Sequence, residues 1–269
     1  MEKLPDGERL DLGTEGLLFH LEPPLAWLIF NRPAARNAMS WAMYEALERA
    51  CDRAEANPDI RVLLLTGAGA SFVAGTDIAQ FRDFQTSEQV VGYERSLNRY
   101  VSRLETLTKP TIAVLRGHCA GSGAMIALAC DLRLAASDVK FGIPIARTLG
   151  NTISAQNLAR LLAVLGPART KDLLFTARFI EAEEGRRIGL WGDVVPGAEL
   201  ESRARELGNR IARHAPLTLG AIKEGVRRQL CQGEVEETED LTLRCYLSQD
   251  FKEGVASFLE RRAPDWKGR

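Results

Sequence analysis

The chain has 269 residues, 45% of them hydrophobic and 26% charged, with a formal net charge of -1. That composition fits a globular protein of one large domain, or one domain with an appendage. It gives no support for binding nucleic acid or a membrane face through bulk positive charge, and no apolar run approaches the roughly 18 residues of a membrane span.

The first segment, MEKLPDGERLDLG, is polar and acidic, unlike a secretory signal. Leu17 to Asn31 then reads as two short strands joined at Pro23-Pro24, a hairpin. Ser40 can cap a helix over Trp41 to Asn57, with Trp41, Tyr44, Leu47 and Cys51 on its apolar face. A buried strand is predicted at Arg61 to Thr66, followed by the small-residue stretch GAGASFVAG (67–75) and Thr76-Asp77-Ile78. Strand, bend and helix start in that order leave main-chain N–H groups exposed near Gly75 and Thr76. A long helix, Ser87 to Leu107, directs Val91, Leu97, Val101 and Leu104 to a core, and Lys109-Pro110 ends it.

The most informative stretch is Thr111 to Ala136, TIAVLRGHCAGSGAMIALACDLRLAA. It reads as a strand covered on both faces (Thr111 to Leu115), a bend through Cys119 to Gly123, an apolar helix (Ala124 to Cys130) and a strand from Leu132. Gly121 and Gly123 permit close approach and unusual backbone angles, so the bend offers amide donors to a group that is anionic or becoming so. Tight packing of helix on sheet would call for the same small residues. Short strands at 139–143, 178–180 and 193–195 alternate with helices at 153–165 and on both sides of the strand at 178–180, with a loop at 144–151. From Pro196 onward only helices are expected, at 197–213, 216–230, 234–249 and 252–262. The expected organisation is an α/β core over 1–195 and a helical region over 196–269.

The five cysteines, Cys51, Cys119, Cys130, Cys231 and Cys245, are scattered and never spaced as CxxC, which suggests reduced thiols in a cytoplasmic protein. His20, His118 and His214 are equally dispersed, so no metal site is expected.

AGTDI (Ala74 to Ile78) and RGHCAGSGAMIALACDLRLA (Arg116 to Ala135) resemble the crotonase superfamily, the enoyl-CoA hydratase and isomerase group. So do NRPAARNAM (31–39), LARLLAVLGPARTKDLLFTAR (158–178), AEEGRRIGLWGDVV (182–195) and EGVASFLERRAPDWK (253–267), so the likeness runs through nearly the whole chain. The resemblance implies a spiral of ββα units, a C-terminal helical region that builds homotrimers or dimers of trimers, and an acyl-CoA thioester as substrate. Coenzyme A enters as part of that substrate, with no tightly bound cofactor. Two backbone amides of the family's oxyanion hole fall at Thr76 and Ser122, where Gly121-Ser122-Gly123 replaces the usual glycine triplet. The resemblance also brings Arg36, in the loop 31–36, and Ala74, Phe258 and Lys267 to the coenzyme A.

The two hydratase glutamates of the family correspond here to Met125 and Ile145, and no Asp or Glu lies between Asp138 and Asp172. Hydration by two glutamates is therefore disfavoured, and the isomerases of the family lose their usual base too. Decarboxylation, thioester hydrolysis and non-catalytic acyl-CoA binding stay open beside lyase or isomerase chemistry. A thioesterase would pair Ser122 with His118, but Ala120 and Ala124 stand where a GxSxG elbow has glycines. Polar residues the resemblance brings near the pocket are His118, Cys119, Arg147, Thr148, Asn151 and Glu94. His118 suits acid–base work near neutral pH, or a structural hydrogen bond. Arg147 suits a substrate carboxylate, or a surface ion pair. Glu94, beside Arg95 and near Arg99, is expected on a solvated face. Asp77 and Asp131 are assigned to holding the two bends by accepting backbone hydrogen bonds.

Overall fold

The computed structural model describes residues 8–82, 84–230, 243 and 246–265. Five parallel strands and an antiparallel pair make its main sheet. Strands β1 (Glu8–Leu10), β2 (Leu17–Glu22) and β3 (Leu25–Phe30) run antiparallel, and the last two form the expected hairpin. From β3 the sheet continues in parallel through β4 (Val62–Gly67), β5 (Thr111–Leu115), β7 (Leu132–Ala136) and β10 (Asp193–Val195). A second, three-stranded sheet holds β6 (His118–Ala120), β8 (Lys140–Gly142) and β9 (Ile180–Glu181). Strand β6 occupies part of what reads in the sequence as a bend, and it pairs with β8 in parallel.

The main sheet is covered on both faces, which is why β3, β4 and β5 are continuous apolar runs rather than alternating ones. One face, carrying Phe19, Leu28, Phe30, Leu65 and Leu115, packs with α1 (Trp41–Ala56), α2 (Ser87–Thr106) and α3 (Ser122–Ala129) in the largest core cluster. The other, carrying Trp27, Ile29, Leu64, Val114 and Leu134, is sealed by Leu200, Ala204 and Ile211 of α7 (Leu200–Ala212). Between these lie the one-turn α4 (Ile145–Thr148), in the segment expected as a loop, α5 (Ala155–Thr176) and α6 (Ala182–Arg187). Gly166 breaks the helical angles of α5 at φ 69°, beside Pro167, where the sequence places a break.

After α7, α8 (Pro216–Leu230) and α9 (Gln249–Glu260) complete the described chain. Lys223 of α8 donates to the carbonyls of Leu104 (3.0 Å) and Lys109 (3.2 Å) and pairs with Asp131 at 2.8 Å. Asp131 in turn accepts from the N–H (2.7 Å) and hydroxyl (2.8 Å) of Thr111, tying the start of β5. Most of the helix expected at 234–249 lies outside the described residues, as do Cys231, Cys245 and Lys267. Cys51, Cys119 and Cys130 are buried free thiols, and burial pushes Cys51 and Cys130 up to about 12.

Helix α2 corrects one expectation. Its buried residues are Val90, Glu94, Leu97, Val101 and Leu104, so the inward stripe includes Val90 instead of Val91 and passes through Glu94. Arg99 and Arg103 instead face α1, paired with Glu48 (3.3 Å) and Asp52 (2.9 Å).

Candidate active site

The site forms where two glycine-bearing bends meet. The first, residues 68–77, is clamped by the loop 31–39. Asn37 is fully buried and donates through one amide nitrogen to the carbonyls of Ala68 (3.0 Å), Ser71 (2.8 Å) and Phe72 (3.1 Å), while its side-chain oxygen accepts from Arg32 N–H at 2.9 Å. Arg32 reaches Ala38 C=O at 2.7 Å and Asp77 at 3.0 Å. Asp77 also accepts from Ala79 N–H at 3.3 Å, so its carboxylate is used in shaping the bend, the role assigned to it from sequence.

A parallel bridge joins Met39 to Thr76 through Met39 N–H to Gly75 C=O (2.8 Å) and Asp77 N–H to Met39 C=O (2.9 Å). Because extended backbone alternates, the N–H of Thr76 itself points away from residue 39. The second bend is fixed by Ala120 N–H to Val73 C=O (2.8 Å) and Gly121 N–H to Gly142 C=O (3.0 Å). Ser122 then opens α3, where an N–H has no acceptor in its own helix. Among the described residues neither Thr76 N–H nor Ser122 N–H has a backbone acceptor.

The glycines bring the bends together. Gly121 adopts φ 53°, ψ −120°, and a Cβ there would lie 3.4 Å from Gly75 Cα. A Cβ on Gly123 would stand 2.2 Å from Val73 C=O, an impossible contact that excludes every other residue without movement. Position 122 has no such restriction. The Ser122 side chain is buried beside the Tyr44 phenol, and among the described residues its hydroxyl meets the geometry of a hydrogen bond with no partner.

Around the bends lies a wall of aromatic side chains. Trp41, Tyr44, Phe81, Phe84, Tyr93, Tyr246 and Phe251 form a continuous set of ring contacts, with centroids 4.7 to 6.4 Å apart. The hydroxyl of Tyr44 lies 2.7 Å from Thr76 Oγ1, and that of Tyr93 at 3.4 Å from the same atom. Tyr246 donates to Glu94 Oε1 at 2.9 Å and accepts from Asn151 at 2.9 Å. Burial raises all three phenols well above their usual range, so they stay neutral. Burial also raises Glu94 to about 7, opposed by the Tyr246 hydrogen bond, which favours the carboxylate.

The structure thus brings Glu94 and Asn151 together but not the other polar candidates. His118 packs edge-on against Phe179, with its pKa lowered by burial and by the nearby Arg36 and Lys140. Cys119 is buried with its thiol on Gly123 C=O at 3.5 Å, and Thr148 donates to Pro144 C=O at 3.0 Å. Arg147 is exposed. Met125 is buried and Ile145 half-buried, both against the core. Arg36 is exposed, Ala74 half-buried with its N–H on Arg36 C=O (3.0 Å), and Phe258 is exposed on α9. The phenol hydroxyls are not foreseen from sequence: the helix pattern gives Tyr44 only as an apolar position, and Tyr246 meets Glu94 across 152 residues of chain, where no spacing rule reaches.

The family model for enoyl-CoA hydratase/isomerase matches residues 23–269. The chain belongs to this family. Among the relatives of this enoyl-CoA hydratase/isomerase family member is the crotonyl-CoA hydratase of Syntrophomonas wolfei, 36% identical over 258 residues that cover 93% of this chain and 97% of that protein. The short-chain-enoyl-CoA hydratase of Clostridium acetobutylicum is 33% identical over 256 residues, covering 91% and 95%. A methylmalonyl-CoA decarboxylase solved with 2-nitronate-propionyl-CoA superposes with a TM-score of 0.85 at 26% identity, covering 95% of this chain and 99% of that one.

Proposed function

We propose that this family member binds an acyl-CoA thioester and holds its carbonyl oxygen between the N–H groups of Thr76 and Ser122, stabilising an enolate. The observation that supports the reading is the close approach of the two bends, where a Cβ on Gly121 would lie 3.4 Å from Gly75 Cα, together with the lack of a backbone acceptor, among the described residues, for the amide that follows each glycine. Removing a proton next to a thioester carbonyl, or losing CO₂ from a β-carboxylate, places negative charge on that oxygen. A preorganised donor aimed at such charge is worth about 3 to 4 kcal/mol. Coenzyme A belongs to the substrate, with Arg36, Ala74 and Phe258 as its proposed contacts, and Lys267 from outside the described residues.

Met125 and Ile145 stand at the positions of the family's two glutamates, and neither side chain transfers a proton. The names of the relatives favour hydration, whereas these two residues argue against the two-glutamate route to it. The likeness to a decarboxylase favours a second reading, because loss of CO₂ reaches the same enolate without a base. For a thioesterase, no hydrogen bond among the described residues joins His118 to Ser122, and a non-catalytic binder would need the same amide pair alone. Assembly into trimers fits the outward face of α8, where Leu217, Ile222, Val226 and Leu230 are more than half exposed. The buried thiols fit the reducing cytoplasm.

The test is a panel on the purified protein: calorimetric binding of acyl-CoA esters, then hydration of crotonyl-CoA, isomerisation of a 3-enoyl-CoA, decarboxylation of methylmalonyl-CoA and thioester hydrolysis. Binding with turnover in an enolate-forming assay supports the reading. Absence of acyl-CoA binding overturns it, and hydration at the rate of two-glutamate relatives refutes the role given to Met125 and Ile145.

A further inference from the structure

We propose that Glu94, positioned by Tyr246, is the group that moves protons to and from the carbon beside the thioester carbonyl, because its carboxyl shares one buried polar cluster with Thr76 and Ser122 and keeps one oxygen unpartnered. This rests on the acyl-CoA reading above and adds the acid–base residue that the reading lacks.

The cluster is continuous. Thr76 Oγ1 touches the hydroxyls of Tyr44 and Tyr93; Tyr44 lies against Ser122; Tyr93 faces Tyr246, which donates to Glu94. Only two phenols therefore separate the carboxyl from the first bend. Glu94 is 9% exposed, and among the described residues its Oε2 has no hydrogen-bond partner, nor has Asn151 Oδ1 on the other side of Tyr246. Buried polar atoms are almost always paired, and an unpaired carboxylate oxygen in an apolar cage is costly. A residue needed only to brace Tyr246 would serve as well with an amide in place of the acid. Among the described residues the polar groups facing Glu94 are Tyr246, Asn151, Tyr93 and, farther off, Tyr44, all uncharged at neutral pH. With no cation among the described residues to hold it ionised, the carboxyl titrates near neutrality, where a proton can be both taken and returned.

The step balances without a co-reactant. The α C–H bond breaks, its proton goes to Glu94 Oε2, and its electron pair moves through the carbonyl to the oxygen held by Thr76 and Ser122. The reverse step returns a proton to carbon, the same one or one exchanged with solvent. After decarboxylation the carboxylic acid form supplies that proton directly. A single carboxyl suits such transfers at carbon, whereas addition of water needs a group to activate the water as well.

The experiment follows deuterium entry at the α carbon of butyryl-CoA in D₂O by NMR, with calorimetric binding of the same ester in parallel. The wild type is expected to exchange, with a rate that rises through about pH 7 as the carboxyl ionises. Glu94→Gln, which keeps an acceptor for Tyr246 but takes no proton, is expected to lose roughly 100-fold or more in exchange while still binding butyryl-CoA. Tyr246→Phe removes the hydrogen bond that favours the carboxylate, so its profile should move to higher pH. Wild-type exchange in Glu94→Gln overturns the proposal, as does binding of butyryl-CoA by the wild type without exchange. Should Glu94→Gln not fold, the wild-type and Tyr246→Phe profiles decide, and a flat profile or no displacement overturns it. Failure of butyryl-CoA to bind is instead the failure of the acyl-CoA reading itself.

Discussion

The two sides of the candidate site are built from different parts of the chain. The bends at 73–77 and 121–123 work through main-chain groups, each position set by a neighbour's carbonyl or by the absence of a Cβ. The facing side, made by Tyr44, Tyr93, Glu94, Asn151 and Tyr246, works through side chains brought from two helices, a loop and the residues just before α9. The first is indifferent to side-chain identity wherever space allows, which is how Ser122 is accommodated between two glycines. The second carries the Glu94 carboxyl, so under the proposed reading the choice of reaction rests with it.

The sharpest way to break the contrast is Gly123→Ala. Its methyl would meet Val73 C=O at 2.2 Å, and overpacking of this kind costs about 3 kcal/mol. Urea denaturation should show the loss and calorimetry should show acyl-CoA binding abolished; unchanged stability would mean that the bends are not locked together. Asn37→Ala leaves three carbonyls and an N–H without partners, at a cost of about 2 to 3 kcal/mol by the same measurement.

Glu94→Gln probes the other side through stability. Its folded pKa, about 7, is raised above the unfolded value, so protonation favours the folded form. That stabilisation is complete below the unfolded pKa of roughly 4.3 and is lost as pH rises through about 7. Wild type should therefore lose about 2.5 kcal/mol relative to Glu94→Gln between about pH 5 and about pH 8.5. Chemical denaturation at the two pH values measures the difference, and parallel stability would show the carboxyl to be solvated. Smallest of all is Tyr44→Phe, which removes a 2.7 Å contact to Thr76 Oγ1 and costs about 1 kcal/mol. Thioester binding should survive, since the amide of Thr76 is untouched; its loss would mean that side chains orient that amide after all.

The same division explains what the sequence makes legible. Buried strands such as β4 and β5 announce themselves as aliphatic runs, and Gly121 and Gly123 mark the bend because nothing larger fits. Glu94 is hidden by its charged neighbours, yet the helix period uncovers it: stepping back from Val101 by four, three and four reaches Leu97, Glu94 and Val90, the buried stripe. The neighbouring Arg95 and Arg99 argue for a solvated face, and the helix period overrules them. Asn37 sits in a motif that was legible, but its three acceptors lie in a segment more than thirty residues away, and Tyr246 is further still. Strand β6 is short and rich in small residues, so only its pairing with β8 makes it a strand.

Lys223 has a consequence for how the outermost helix communicates with the interior. Its ammonium grips the carboxylate that also anchors the first residue of β5, and β5 leads through Gly117 into the second bend. A neighbouring molecule leaning on the apolar stripe of α8 would therefore press, through one shared carboxylate, on the root of the strand that leads to Ser122.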